Sequence, residues 1–114
     1  MDDKEYSIHN PSAIRLLSYL SLMASITVVL LIAIGSFVRV TGSGLACPDW
    51  PLCDGNILPP LEYHVLIEYS HRLVAAILSL FIILVFTLSI SYRGVPRVLK
   101  MFAGAVVFFL AIQI

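Results

Sequence analysis

Residues 16–38, LLSYLSLMASITVVLLIAIGSFV, run from Leu16 to Val38 without one charged side chain. At about 1.5 Å of rise per residue a helix of this stretch reaches roughly 34 Å, enough to cross a hydrocarbon core of about 30 Å. A second uncharged run extends from Leu73 to Tyr92, and a third begins at Met101 and is still apolar at Ile114. The third run ends without a Lys, Arg, Trp or Tyr anchor, so the expectation is a chain that stops inside a third span. Across all 114 residues the hydrophobic share is 60% and the charged share 12%, whereas soluble domains carry roughly 25% charged residues. A soluble fold could not hide that much apolar surface. The reading is therefore all-α: a polytopic membrane helical bundle.

Outward from these runs, the tail 1–12 is polar and mixed in charge, and the first apolar run is too long for the core of a signal peptide. Span one is expected over about 14–40, a loop over 41–61, span two over about 62–92, a turn over 93–97 and a partial third span over 98–114, within a membrane domain of residues 13–114. Lys4, Arg15, Arg93, Arg97 and Lys100 flank the spans, while Thr41 to Ile67 contains no Lys or Arg but does contain Asp49, Asp54 and Glu62. Because cytoplasmic loops hold the excess of basic residues, the tail 1–12 and the turn should be cytoplasmic and the loop 41–61 extracytoplasmic in a cell membrane. Net charge is zero, and nothing points to nucleic acid; lipid is the expected surrounding.

Asn10-Pro11-Ser12 reads as a turn and N-cap before span one. Ala24, Ser25, Ala33, Gly35 and Ser36 are small residues that let helix backbones approach one another in lipid. Thr41-Gly42-Ser43-Gly44 ends the first helix, and Pro48, Pro51, Pro59 and Pro60 keep the following stretch from being helical. Tyr63 and Tyr69 suit the headgroup level.

Glu68-Tyr69-Ser70-His71-Arg72 opens the second span. On a helix Glu68 and His71 are i and i+3 and share a face, which Ala75 and Ser79 continue inward at i+4 steps from His71. A flat macrocycle could lie over those small side chains, and neutral imidazole is a common axial ligand of heme iron. The competing reading is that Glu68 and His71 sit in a wet interface and pair with Arg72 or water. Arg39 closes span one; a propionate or another carboxylate is a natural bidentate partner, and snorkelling to headgroups is the alternative. Cys47 and Cys53 enclose Pro48-Asp49-Trp50-Pro51-Leu52. A disulfide is the simplest outcome in an exported loop, and so small a ring gains less than the roughly 3 kcal/mol of a 15-residue loop. A redox-active pair, or a zinc site with Asp49 or His64, is a further reading, although the spacing is not Cys-x-x-Cys and no second Cys or His pair is present. His64 could share the face of His71 but should lie higher, in the interface; His9, in the tail, should be solvated.

Three blocks taken together, Gly35-Ser36-Phe37-Val38-Arg39-Val40-Thr41-Gly42-Ser43-Gly44-Leu45, Cys47-Pro48-Asp49-Trp50-Pro51-Leu52-Cys53-Asp54-Gly55 and Ile67-Glu68-Tyr69-Ser70-His71-Arg72-Leu73, closely resemble the start of heme A synthase. The resemblance is strong over about Gly35 to Ala76, and Gln113 resembles the start of the glutamine-containing part of that family's third span. It implies four-helix bundles and a membrane oxidoreductase that uses a bound heme b to oxidise a methyl group of heme O to the formyl group of heme A. Heme O synthase would be the donor of the substrate, and heme-copper oxidase assembly the recipient of the product. Carried over, His71 would be an axial ligand of the heme iron, Glu68 the acidic residue near the reacting heme edge, and Cys47 with Cys53 the extracytoplasmic cysteine pair. Arg39 would stand by the propionates, and Ala75 and Ser79 would line the heme face. A second histidine ligand would come from a fourth span that this sequence does not contain, which implies further helices or a homo-oligomer; alone, a fragment of this length should be inactive. Two other classes compete: a heme-carrying electron-transfer subunit, which has no need of Glu68, and a non-catalytic membrane module whose cysteine loop docks a partner or exchanges electrons.

Overall fold

A computed structural model of the protein describes residues 11–113; the tail 1–10, with the expected N-cap Asn10 and with His9, and residue 114 lie outside the described residues. Three helices follow one another, α1 (Pro11–Val40), α2 (Tyr63–Ser91) and α3 (Arg97–Gln113). Helices α1 and α2 are long and apolar enough to cross a membrane. Their large side chains stay exposed, Val29 at 69% and Ile32 at 65%, a pattern that suits lipid and not water.

Backbone amides in lipid must be satisfied within their own segment, which makes a helix of these β-branched runs despite their modest helix propensity. The hydroxyls obey the same rule. Ser18 donates to the Ile14 carbonyl, Ser36 to Ile32, Thr87 to Ile83 and Ser89 to Val85, each one turn back. Pro11 occupies the first helical position of α1, where its missing N–H costs nothing.

The chain forms two units, one of residues 25–78 and one of residues 11–24 with 79–113. In the first, α1 ends on a Schellman turn. Gly42 has φ +68°; its N–H bonds the Arg39 carbonyl, and the Ser43 N–H reaches back to Val38. This conformation suits a residue without Cβ. The following loop holds its own turn at Cys53 to Asn56, which exchange backbone hydrogen bonds across Asp54 and Gly55, both with positive φ. Asp-Gly is the pair that such a primed turn favours. Cys47, Cys53 and Val65 form a small buried cluster, with Ala46 and Tyr69 against it. The Tyr69 hydroxyl donates to the Ile57 carbonyl at 2.7 Å, tying the loop to the first turns of α2.

In the other unit the three helices line an open groove of about 430 Å³, with Leu17, Val85, Leu99 and Phe102 among its walls. Gly104 of α3 lets the Phe86 ring approach, leaving room for no more than ordinary contact with an added Cβ.

Candidate heme-binding site

Glu68, His71 and Arg72 lie on the first turns of α2, and the geometry around them is built by the loop that precedes it. Glu68 is buried at 6% exposure, so it does not sit in a wet interface, although the pairing with Arg72 that the competing reading expects is present. One carboxylate oxygen, Oε2, accepts the Cys47 backbone N–H at 2.8 Å, and Oε1 accepts from Arg72 Nη2 at 2.6 Å. The Glu68 charge is thus buried and matched by a part-buried guanidinium, so that loss of Arg72 would leave the carboxylate buried without its counter-charge.

His71 lies one turn from Glu68, its ring bedded on Gly35 of α1. A Cβ added at Gly35 would stand 3.1 Å from His71 Cε1. The Nδ1 atom of His71 is buried and has no hydrogen-bond partner among the described residues. Buried polar atoms are nearly always paired, and an exception calls for a reason such as an ion or ligand. An imidazole held in place by packing, with a polar edge that the described residues do not satisfy, fits an axial heme ligand. The residue one turn on, Ala75, is half-buried and small. Ser79 is half-buried as well, but it is the first residue of α2 that belongs to the other unit. Arg39 is exposed in the last turn of α1, where its charge suits the negative end of the helix dipole.

The Sγ atoms of Cys47 and Cys53 stand 2.19 Å apart, with Cα atoms 4.9 Å apart, so the pair is at disulfide distance. Among the described residues no group of three His, Cys, Asp or Glu side chains could hold a metal ion. Inside the ring, Asp49 accepts the N–H groups of Asp54 at 2.6 Å and Gly55 at 2.8 Å. The Gly55 amide is the main reason its carboxyl lies below the usual carboxylate range; partial desolvation opposes this, and the Asp54 amide and the Arg72 charge add to it.

His64 does not join His71. Its Nδ1 pairs with the hydroxyl of Ser43 at 2.9 Å, and that hydroxyl pairs with Thr41 Oγ1 at 2.7 Å. The sequence allows for a pair between Glu68 and Arg72 but does not signal this link, nor the donation of the Arg72 Nη atoms to the carbonyls of Cys47, Asp49 and Leu52. A cation two turns into α2 beside a proline-rich loop that lacks Lys and Arg was the available signal.

Fold and site together define a helical membrane protein with a buried carboxylate beside a histidine whose Nδ1 has no partner among the described residues, next to a loop whose two cysteines stand at disulfide distance. The profile of the family described as "Cytochrome oxidase assembly protein" matches residues 18–113, and the chain belongs to that family, the family of the heme A synthases. It is 34% identical over 101 residues to the heme A synthase of Lysinibacillus sphaericus, covering 87% of this chain and 33% of that protein. With heme A synthase of Geobacillus kaustophilus it shares 44% over 48 residues, 42% of this chain and 15% of that one. With that of Shewanella oneidensis it shares 27% over 111 residues, 82% and 34% respectively. The chain thus spans about a third or less of the length of these curated relatives. No solved structure matches.

Proposed function

We propose that this chain provides one heme-binding half-site of a heme A synthase, a membrane oxidoreductase that converts a methyl group of heme O to the formyl group of heme A. One observation carries the reading: a buried, doubly hydrogen-bonded Glu68 carboxylate stands one helical turn from a histidine whose Nδ1 is buried and unpartnered. Family membership and the named relatives support it.

In this reading His71 holds the iron of a heme b, which supplies redox chemistry when bound. Glu68, its carboxylate fixed by the Cys47 N–H and Arg72, would stand near the heme edge where positive charge develops as an external oxidant takes electrons from the methyl, and a fixed charge in a water-poor site needs little reorganisation. Arg39 would hold the propionates, and the small side chains of Ala75 and Ser79 would line the macrocycle. Cys47 and Cys53 form a disulfide that shapes the loop. The loop lies outside the cytoplasm and the N-terminus inside, in a four-helix bundle that further helices or a second copy complete. Heme O synthase delivers the substrate, and heme-copper oxidases receive the product.

A pyridine hemochrome spectrum of the purified assembly, this chain together with the helices or second copy that complete the bundle, with pigment extraction from cells supplied with heme O, tests this. Newly formed heme A is the expected result. Heme b without heme A would favour an electron-transfer subunit, and absence of heme a non-catalytic module.

A further inference from the structure

Arg72 follows His71 in sequence, yet its side chain turns to the loop. Its two Nη atoms carry four N–H groups, and four different acceptors receive them. Nη1 donates to the carbonyls of Asp49 and Leu52; Nη2 donates to the carbonyl of Cys47 at 2.9 Å and to Glu68 Oε1 at 2.6 Å. All three carbonyls belong to the ring that Cys47 and Cys53 close. Cys47 also gives its N–H to the other oxygen of Glu68. Carboxylate, guanidinium and cysteine ring therefore form one closed hydrogen-bonded circuit.

A Glu–Arg pair at i and i+4 on a bare helix would not fix anything, because such pairs are weak and both side chains keep many rotamers. Here the guanidinium is held by three carbonyls before it meets the acid. A lysine could not replace it, since an ammonium has three donors around one point and no planar fork.

We propose that Arg72 is a positioning residue that fixes the Glu68 carboxylate by tying it to the Cys47–Cys53 ring, so that the closed ring, and not α2 alone, sets where the acid stands. This rests on the reading of Glu68 as the acid beside the reacting heme edge. The ring's integrity then bears on catalysis without either sulfur touching substrate.

The test uses the detergent-purified assembly in which this chain is joined to the helices or second copy that complete the bundle, as wild type, Arg72→Lys, Arg72→Gln, Glu68→Gln and the double variant Cys47→Ser/Cys53→Ser. Turnover of heme O and bound heme b are measured, together with the rate at which dithiothreitol opens the ring, read by maleimide gel shift. Arg72→Lys should lower kcat by about tenfold to a hundredfold, the cost of a slightly misplaced reacting group, with KM for heme O and heme b content near wild type. The double serine variant should show the same split. Ring opening should quicken about tenfold in Arg72→Gln, where bonds from a charged donor are lost, and stay near the wild-type rate in Glu68→Gln, where Arg72 keeps its carbonyls. If Arg72→Gln does not fold, Arg72→Lys decides. Wild-type kcat in Arg72→Lys, or a fall in kcat matched by loss of heme b, overturns the proposal, as does an unchanged opening rate. If the wild type itself makes no heme A, the reading of Glu68 fails, and an opening rate that quickens in the Arg72 variants still upholds the tie between Arg72 and the ring.

Discussion

Gly35 offers the sharpest perturbation of the histidine. A Cβ at this position would meet His71 Cε1 at 3.1 Å, Nδ1 at 3.6 Å and Nε2 at 3.9 Å, whereas carbon atoms rest about 3.5–4.0 Å apart. Alanine therefore asks the ring to retreat by about half an ångström, while the change from glycine favours the helix by about 0.8–1 kcal/mol. These effects oppose each other and the displacement is small, so Gly35→Ala should fold and shift the heme spectrum only slightly. Valine adds two methyl groups where one carbon is already tight, and overpacking costs about 1–3 kcal/mol. Taken out of the ligand bond, that is about 5-fold to 150-fold in heme affinity, at 1.4 kcal/mol per tenfold. Purified Gly35→Val should accordingly lose heme to apomyoglobin faster than wild type, with the helix content by circular dichroism unchanged. A wild-type transfer rate and visible spectrum in Gly35→Val would refute the view that this glycine beds the ligand.

Three further outcomes follow from the loop. Ser43→Ala removes a hydroxyl at 1% exposure that bridges Thr41 and His64, and should cost about 1 kcal/mol in a thermal melt with heme content retained; an unaltered melt would show the bridge to be idle. Asp49, with a folded pKa below its ordinary 3.8, stabilises the loop fully above that ordinary value and loses its contribution as pH falls through the lowered one. Opening of the ring by a phosphine reductant should therefore be flat at neutral pH and accelerate only in acid below 3.8, and Asp49→Asn should abolish that acid step. Finally, after mild reduction of intact cells, Cys47 and Cys53 should react with a membrane-impermeant maleimide; labelling only after lysis would reverse the proposed orientation.

The helices were legible because their signal is carried by whole runs of side chains. Leu16 to Val38 and Leu73 to Tyr92 needed no tertiary knowledge to read as spans, and the Gly42 end of α1 followed from glycine chemistry. Of the two glycines in that turn, only Gly42 has a positive φ. The i, i+3 relation of Glu68 and His71 was likewise local. What could not be read is what the loop brings back from a distance in sequence. The Cys47 N–H on Glu68, the three carbonyls on Arg72 and the Ser43 hydroxyl on His64 each join residues more than a dozen positions apart, in a segment without periodicity. Gly35 was legible as a small residue suited to close helix approach, but which side chain would use the space depends on the relative rotation of α1 and α2 about their axes.

The central claim is that Glu68 acts on heme O beside a heme held by His71. Heme extracted from membranes carrying Glu68→Gln, in the complete assembly that makes heme A as wild type and with heme O supplied, tests it directly. The account predicts that heme b remains bound while heme A falls to the background of cells without the protein; heme A at the wild-type level would contradict it.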